Sequence, residues 1–239
     1  MTDALIELGR KLLESRSGLR WPEERIQVQY TGTRGERLLQ QAADFLHLLE
    51  QHAGSLTAPS WRGLDYGVGW GRMASLMTHF GQPDQLDCVD AWDKSLALAR
   101  ACGLQNRFKQ VPPQLRSTDL GEEIYDFAYA YSIFTHLPGS HIVNNAAKIA
   151  ASLKPGGIFL FTVREPKFVE FLIKNGKHQP QVDNLEANGY WFGNAQSADY
   201  GDTIVSEEWL HRELGTIGRL RRIGPMKHES TQVAMLLAK

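Results

Sequence analysis

Three short stretches of this 239-residue chain carry side chains whose types and spacing can do chemistry. The first is Leu64-Asp65-Tyr66-Gly67-Val68-Gly69-Trp70-Gly71-Arg72, in which three alternating glycines separate an apolar run from a helical pattern. Glycine at such a junction lets the backbone turn tightly and approach a ligand closely. A dinucleotide site wants G-x-G-x-x-G, so that a pyrophosphate meets the helix N-terminus. Here the place of that third glycine holds Arg72, and an acid, Asp65, precedes the first glycine. A carboxylate at this point repels a pyrophosphate and suits a ligand that carries an ammonium group and no phosphate. The plainer alternative is a strand–helix turn that needs glycine for packing only.

The second stretch, Leu86-Asp87-Cys88-Val89-Asp90, is an apolar run closing on an acid. Asp90 stands about twenty residues past the glycine loop, where a carboxylate can accept both hydroxyls of a ribose. Trp92 follows and offers a face to adenine; read alone, Asp90 is equally a helix cap. The third stretch is Tyr131-Ser132-Ile133-Phe134-Thr135-His136-Leu137-Pro138. Histidine is the side chain best suited to general base work near neutrality. His136 therefore reads as a proton acceptor, or as a pocket-lining and helix-capping histidine. His211, on an amphipathic helix, and His228, in a loop near the end, are weaker rivals.

Those residues need a frame, and the hydrophobic pattern supplies one. Leu5, Leu8, Leu12 and Leu13 recur at helical spacing, and a second helix is predicted over Glu36–Gln51. A regular alternation follows: strand Gly63–Tyr66, helix Trp70–Phe80, strand Gln85–Val89, helix Asp93–Cys102, and a short strand Phe108–Val111. After it come strand Tyr125–Tyr131, helix Ser140–Leu153 and strand Ile158–Val163. Such alternation implies a parallel sheet with helices on both faces, an α/β doubly wound fold. Residues 164–205 break the pattern, being mostly polar but carrying Tyr190, Trp191, Phe192 and Tyr200. Ser206 then caps a helix over Glu207–Leu214, and two last strands are predicted over Leu220–Gly224 and Gln232–Leu237.

Taken together these residues resemble the class I, Rossmann-like methyltransferases that use S-adenosylmethionine. The resemblance covers roughly residues 60–239 and includes Asp126-Phe127-Ala128-Tyr129-Ala130-Tyr131-Ser132, the Leu153-Lys154-Pro155-Gly156-Gly157 turn and the final strand pair. It implies a seven-stranded, mostly parallel sheet whose last strand is antiparallel. It also implies that Asp65, Gly67, Val68 and Gly69 line the methionine end of the cofactor, and that Asp90, Ala91 and Trp92 hold the nucleoside. Gln110 and Val111 would edge the adenine, and Tyr131, Ser132 and His136 would sit beside the methionine moiety. One departure is plain: many members place an acid after the third strand, where this chain reads Gln110-Val111-Pro112-Pro113.

The expected activity is metal-independent methyl transfer from S-adenosylmethionine, leaving S-adenosylhomocysteine, to an oxygen of a small molecule or glycan. Acidic metal ligands and an Asn/Asp-Pro-Pro-Tyr box are both missing after the fourth predicted strand, where Ala130-Tyr131-Ser132 stands. The expected organisation is an N-terminal helical extension over 1–55 and a methyltransferase domain over 56–239. Residues 164–205 form the acceptor-binding insertion, with Tyr190, Trp191, Phe192, Tyr200 and His228 as substrate-binding candidates; Tyr30 and Arg34 are candidates to close over the cofactor. A formal net charge of −1 argues against a nucleic-acid partner. The two cysteines, Cys88 and Cys102, form no disulfide framework, and no apolar run suits export or a membrane span, so the cytoplasm is the expected compartment. The readings set against this are a non-catalytic S-adenosylmethionine-binding module, an N-methyltransferase acting on an amino sugar, a nicotinamide oxidoreductase and a protein methyltransferase.

Overall fold

The computed structural model describes residues 2–174 and 182–239. The chain divides into two compact units. The first runs through Pro112 and takes in Tyr125–Tyr129; the second consists of Pro113–Ile124 and Ala130–Lys239.

The first unit opens with three helices, α1 (Thr2–Glu14), α2 (Glu24–Thr31) and α3 (Gly35–His52). Helix α3 buries Leu38, Leu39, Ala42, Phe45, Leu46 and Leu49, the stripe its periodicity marks. Gly9 of α1 lies so close to Leu39 that a Cβ there would stand 2.0 Å from its Cδ1, so the missing side chain sets the helix separation. Helix α2 has no apolar stripe to announce it. Its one buried residue is Gln27, whose amide donates to Pro22 O and whose carbonyl accepts from Gly35 N, and Gly32 ends it in the left-handed conformation.

Next come β1 (Gly63–Tyr66), α4 (Arg72–Met77), β2 (Leu86–Asp90), α5 (Asp93–Ala101), β3 (Arg107–Gln110) and β4 (Tyr125–Ala130). All four residues of β1 are buried, as a strand covered on both faces requires. It pairs in parallel with β2 and with β4, and β2 pairs in parallel with β3. Helix α4 is shorter than the Trp70–Phe80 expected from sequence. Gly71 caps it at φ +92, and after Met77 the bonds tighten to three-residue steps, His79 to Leu76 and Phe80 to Met77.

The second unit contains α6 (Gly139–Ser152), β5 (Leu153–Val163), α7 (Phe168–Lys174), α8 (Val182–Asn188), β6 (Tyr190–Ser197), β7 (Tyr200–Val205), α9 (Glu207–Leu214), β8 (Arg219–Pro225) and β9 (Val233–Ala238). Extended backbone begins at Leu153, ahead of the expected Ile158, but its ladder with β9 does start at Ile158. Strand β9 runs antiparallel to both β5 and β8. The main sheet has seven strands in the order β3-β2-β1-β4-β5-β9-β8, mostly parallel with β9 reversed, and β6 and β7 form a separate hairpin. Ser206 caps α9 by accepting the Trp209 N–H, as its position predicts. The stretch read as an irregular polar insertion is more ordered than its composition suggests. Phe168, Leu172, Leu185 and Ile204 form a small core of their own, with Val169 and Trp191 packed on it. Of the insertion, residues 175–181 lie outside the described ones.

Candidate functional site

In the first unit the glycine loop leaves β1 and hooks onto β2: the N–H groups of Gly67 and Val68 both donate to Val89 O, at 2.8 and 3.1 Å. Gly67, Gly69 and Gly71 all have positive φ, which side chains resist. Their roles differ. A Cβ on Gly71 would meet Leu104 Cδ1 at 2.0 Å, so that glycine serves packing. A Cβ on Gly69 would find only the Tyr30 ring, at 3.8 Å, so this glycine leaves the backbone open on the side that α2 covers. Tyr30 is further tied down by Ser95, whose hydroxyl donates to the tyrosine oxygen at 3.4 Å. Arg34 is turned instead to Glu24, at 2.9 Å.

Asp90 ends β2 with 8% of its surface exposed. Its Oδ2 accepts from Gly69 N and its Oδ1 from Trp92 N, both at 2.9 Å, so one carboxylate fixes the glycine loop and the turn that follows β2. Burial raises its pKa, and the N–H groups of Trp92, Gly69 and Ala91 pull it back. Each oxygen keeps lone-pair capacity for a further donor. Trp92 is 49% exposed. Gln110 donates to Ala91 O at 3.1 Å, and Val111 N donates to Asp90 O. The Gln110-Val111 segment is thereby tied to the same turn.

Asp65 lies at the bottom of the loop, 3% exposed, and accepts the Tyr129 hydroxyl at 3.0 Å. Burial pushes its pKa up to about 8; the Tyr129 bond and Arg72 oppose this, while the charge of Asp90 adds to it. Tyr129 was not among the residues singled out from sequence. Its register signal, opposite Asp65 on the neighbouring strand, appears only once β1 and β4 are paired. Asp90, and Asp65 once ionised, place negative charge beneath one glycine loop, which disfavours a pyrophosphate and favours a cation-bearing nucleoside. The Arg72 guanidinium is buried and donates to Gln41 Oε1 at 3.3 Å, and its charge acts on Asp65 from there. The donor set therefore fits S-adenosylmethionine, with its ribose hydroxyls and its ammonium group.

The second unit carries the other candidates. Tyr131 is 8% exposed, and Ser132 after it has φ +60. His136 is held from several sides by the β6–β7 hairpin. Its Nδ1 lies 2.6 Å from Gly201 O, and its ring stacks on Tyr200 at 4.8 Å between centroids. Backbone bonds join the same segments: Gly201 N to His136 O and Thr203 N to Thr135 O, with Thr203 Oγ1 donating to Leu137 O. A carbonyl oxygen only accepts, so Nδ1 carries a proton and, in the neutral ring, the lone pair is at Nε2. Arg164 Nη2 stands 3.5 Å from that nitrogen. Arg164 also bonds Asp202 at 2.7 Å and Thr135 O at 3.1 Å, and its guanidinium lies over Phe168. The Arg164–Asp202 pair was missed from sequence because the two are far apart in the chain and neither sits in a recognisable motif.

The aromatic candidates separate. Tyr200 joins His136, and Phe192 lies across Gly201, whose Cβ would meet its ring at 2.9 Å. Trp191 packs on the insertion's own core. Tyr190 stacks on Trp209 at 5.2 Å and accepts the Gly139 N–H at 2.7 Å, lining a shallow groove with Ser140, Val143, Asn144 and Glu213. His211, exposed on α9, pairs with Glu207, and His228 is half-buried in the β8–β9 loop. Among the described residues no group of three or more His, Cys, Asp or Glu side chains could hold a metal ion, and no helix is long and apolar enough to cross a membrane.

A family model described as a methyltransferase domain matches residues 64–161, from the glycine loop through most of β5. No curated protein matches the chain. Among solved structures it is similar to an S-adenosylmethionine-dependent methyltransferase from Leishmania major, at TM-score 0.62 and 13% identity over 100% of this chain and 82% of that one. A putative enzyme of the same description from Listeria monocytogenes gives 0.60 and 14% over 84% and 98%. The complex of DhpI with S-adenosylhomocysteine gives 0.58 and 14% over 100% and 96%. At these identities the likeness is one of fold. Residues 64–161 thus match a methyltransferase domain, within a fold that the chain shares with S-adenosylmethionine-dependent methyltransferases.

Proposed function

We propose that the protein methylates a hydroxyl oxygen of a small molecule or glycan, without a metal ion, with His136 as the proton acceptor. The observation that carries the donor side is Asp90, buried and already orienting Gly69 and Trp92 through their N–H groups. In this reading its remaining lone pairs take the ribose hydroxyls, Trp92 covers the adenine, and Gln110 and Val111 border it. Asp65, protonated in the ligand-free chain, gives up its proton as the ammonium of the methionine end settles beside Gly67, Val68 and Gly69. When bound, S-adenosylmethionine supplies a methyl group already activated by its sulfonium for in-line displacement.

On the acceptor side, the Nδ1–H bond to Gly201 O fixes the tautomer in which Nε2 can take the hydroxyl proton. Residues 164–205 serve as the acceptor-binding insertion, with Phe192 and Tyr200 as aromatic faces, and residues 1–55 as a helical extension. His228 belongs to the same reading as a loop contact for the acceptor, and Tyr190 and Trp191 as residues that shape the insertion around it. Two free, buried cysteines suit a cytoplasmic location, and the net charge of −1 suits an acceptor other than nucleic acid.

The test is a transfer assay with isotope-labelled S-adenosylmethionine against a panel of sugars and hydroxylated metabolites. The expected result is label in an ether-linked methyl group, lost with His136→Ala. Label in an amine, or transfer undiminished in His136→Ala, would overturn the oxygen and base assignments.

A further inference from the structure

Tyr129 is fully buried on β4, inside the first unit. It belongs to a row that crosses three parallel strands: the register sets Cys88 of β2 on one side of Asp65 and Tyr129 of β4 on the other. Side chains in such a row leave the same face of the sheet. Phe45 of α3 packs edge-on against the Tyr129 ring, at 6.1 Å between centroids, and so fixes where its hydroxyl stands. That hydroxyl donates to Asp65 Oδ2 at 3.0 Å. Among the described residues no hydrogen bond reaches Asp65 Oδ1.

The other groups that act on Asp65 come from three elements. Asp90, at the end of β2, opposes its ionisation. Arg72 of α4, which donates to Gln41 of α3, assists it. Cys88 stays a neutral thiol, because burial and the charges of Asp65 and Asp87 push its pKa well up. From α3 come Phe45 and Gln41, neither of which titrates. Against the cost of burial, the Tyr129 bond is the largest influence that favours the carboxylate. Burial and the Asp65 charge also push the Tyr129 phenol well above its ordinary range, so it remains a donor. A hydrogen bond to an ionised oxygen is about twice as strong as one to a neutral oxygen, so the same hydroxyl holds Asp65 more firmly once the proton has left.

We propose that Tyr129 is a positioning residue for the methyl donor: its hydroxyl fixes Oδ2 of Asp65, leaves Oδ1 to the ligand's ammonium, and stabilises the carboxylate that the ammonium needs. This rests on the reading above in which Asp65 meets the ammonium, and every residue it invokes lies in the first unit. Tyr129 acts on the ligand through Asp65. Its contribution to affinity is therefore largest where the free carboxyl still holds its proton, and fades where that proton is already gone.

The experiment is calorimetric titration of the full-length protein with S-adenosylhomocysteine across pH, alongside thermal unfolding, for wild type, Tyr129→Phe, Asp65→Asn and the double variant. At about pH 6.5 Tyr129→Phe is expected to bind about tenfold more weakly, the scale of one lost hydrogen bond to a charged group. By about pH 9 the loss should shrink to about twofold, because wild-type Asp65 is then mostly ionised before the ligand arrives. The ligand's own ammonium titrates alike in both proteins and drops out of the ratio. In an Asp65→Asn background the Tyr129→Phe change should move affinity by about twofold or less at either pH. A purely structural role would lower the unfolding temperature of Tyr129→Phe while leaving affinity unchanged, or would weaken binding equally at both pH values. Either result overturns the proposal, as does a tenfold loss that persists in Asp65→Asn. Should Tyr129→Phe fail to fold, 3-fluorotyrosine in place of Tyr129, a stronger donor of nearly the same shape, decides. Tighter binding at the lower pH that vanishes at the higher supports the proposal, and equal affinity at both overturns it. Wild-type protein that binds no S-adenosylhomocysteine overturns the donor-site reading as well; wild-type binding with a ratio that does not move with pH overturns this proposal alone.

Discussion

The glycine loop with Asp90 and the His136 cluster with its hairpin are both polar and largely buried, yet they are held in different ways. Asp90 bonds partners 2 and 21 residues away, within one strand–turn–helix repeat of the parallel sheet. His136 takes its carbonyl partner from 65 residues away, and Ser132 its amide partner from 100. The glycine-loop cluster, the donor half of the proposed function, is thus a local device, shaped by the turn chemistry of a single unit. The His136 cluster, its proposed acceptor half, exists only after distant segments have docked. A fold of this kind can keep its donor chemistry while an inserted hairpin changes what is presented to the acceptor.

The largest effect expected is on turnover: His136→Ala should lower it on the order of 10²-fold or more with cofactor affinity retained. A near-wild-type rate would leave His136 as a docking residue for the hairpin and nothing else.

Next comes the pH dependence of the ligand-free protein. The Asp65 carboxyl holds its proton in the folded chain up to about 8 and loses it in the unfolded chain near the ordinary carboxylate value of 3.8. Between those values the unfolded state binds fewer protons. The stability this group contributes is therefore complete below the unfolded value and falls as pH rises to the folded one, by on the order of 1 kcal/mol per pH unit. Asp65→Asn, which still accepts from Tyr129, should flatten that slope in denaturant titrations and bind S-adenosylmethionine more weakly. A slope equal to wild type would mean that Asp65 is ionised at neutral pH in the folded protein.

Asp90→Ala should weaken S-adenosylmethionine binding by roughly 1.5–3 kcal/mol, the scale of hydrogen bonds to a charged group. Unchanged affinity in calorimetry would remove Asp90 from the ribose site. The smallest effect sharpens the contrast within the hairpin. Tyr190→Phe deprives the Gly139 N–H of its partner and should destabilise the protein by about 1 kcal/mol with turnover kept. A selective loss of turnover would move Tyr190 from the α9 contact to the acceptor.

What was legible in the sequence follows the same division. Strand–helix alternation, the Asp65–Arg72 loop and the acid closing β2 are short-range signals, and the sheet they predict is the one observed. The N-terminal stripe of Leu38, Leu39, Phe45 and Leu49 was equally plain. Helix α2 was not, since it is held by the two ends of Gln27 and not by an apolar face. The hairpin of residues 190–205 was hidden because its strands carry glycines and polar residues and pair only with each other. Tyr129, Arg164 with Asp202, and Gln232 act through partners on other elements, which periodicity does not reveal. The Ser132 backbone conformation is likewise invisible in a residue type that seldom adopts it.

Calorimetric titration of the purified protein with S-adenosylmethionine, S-adenosylhomocysteine and NAD tests the proposed donor half most directly. Binding of the first two on the order of micromolar, and none of the third, is the predicted result. Binding of NAD with neither of the others would contradict the assignment of Asp65, Gly69 and Asp90 together.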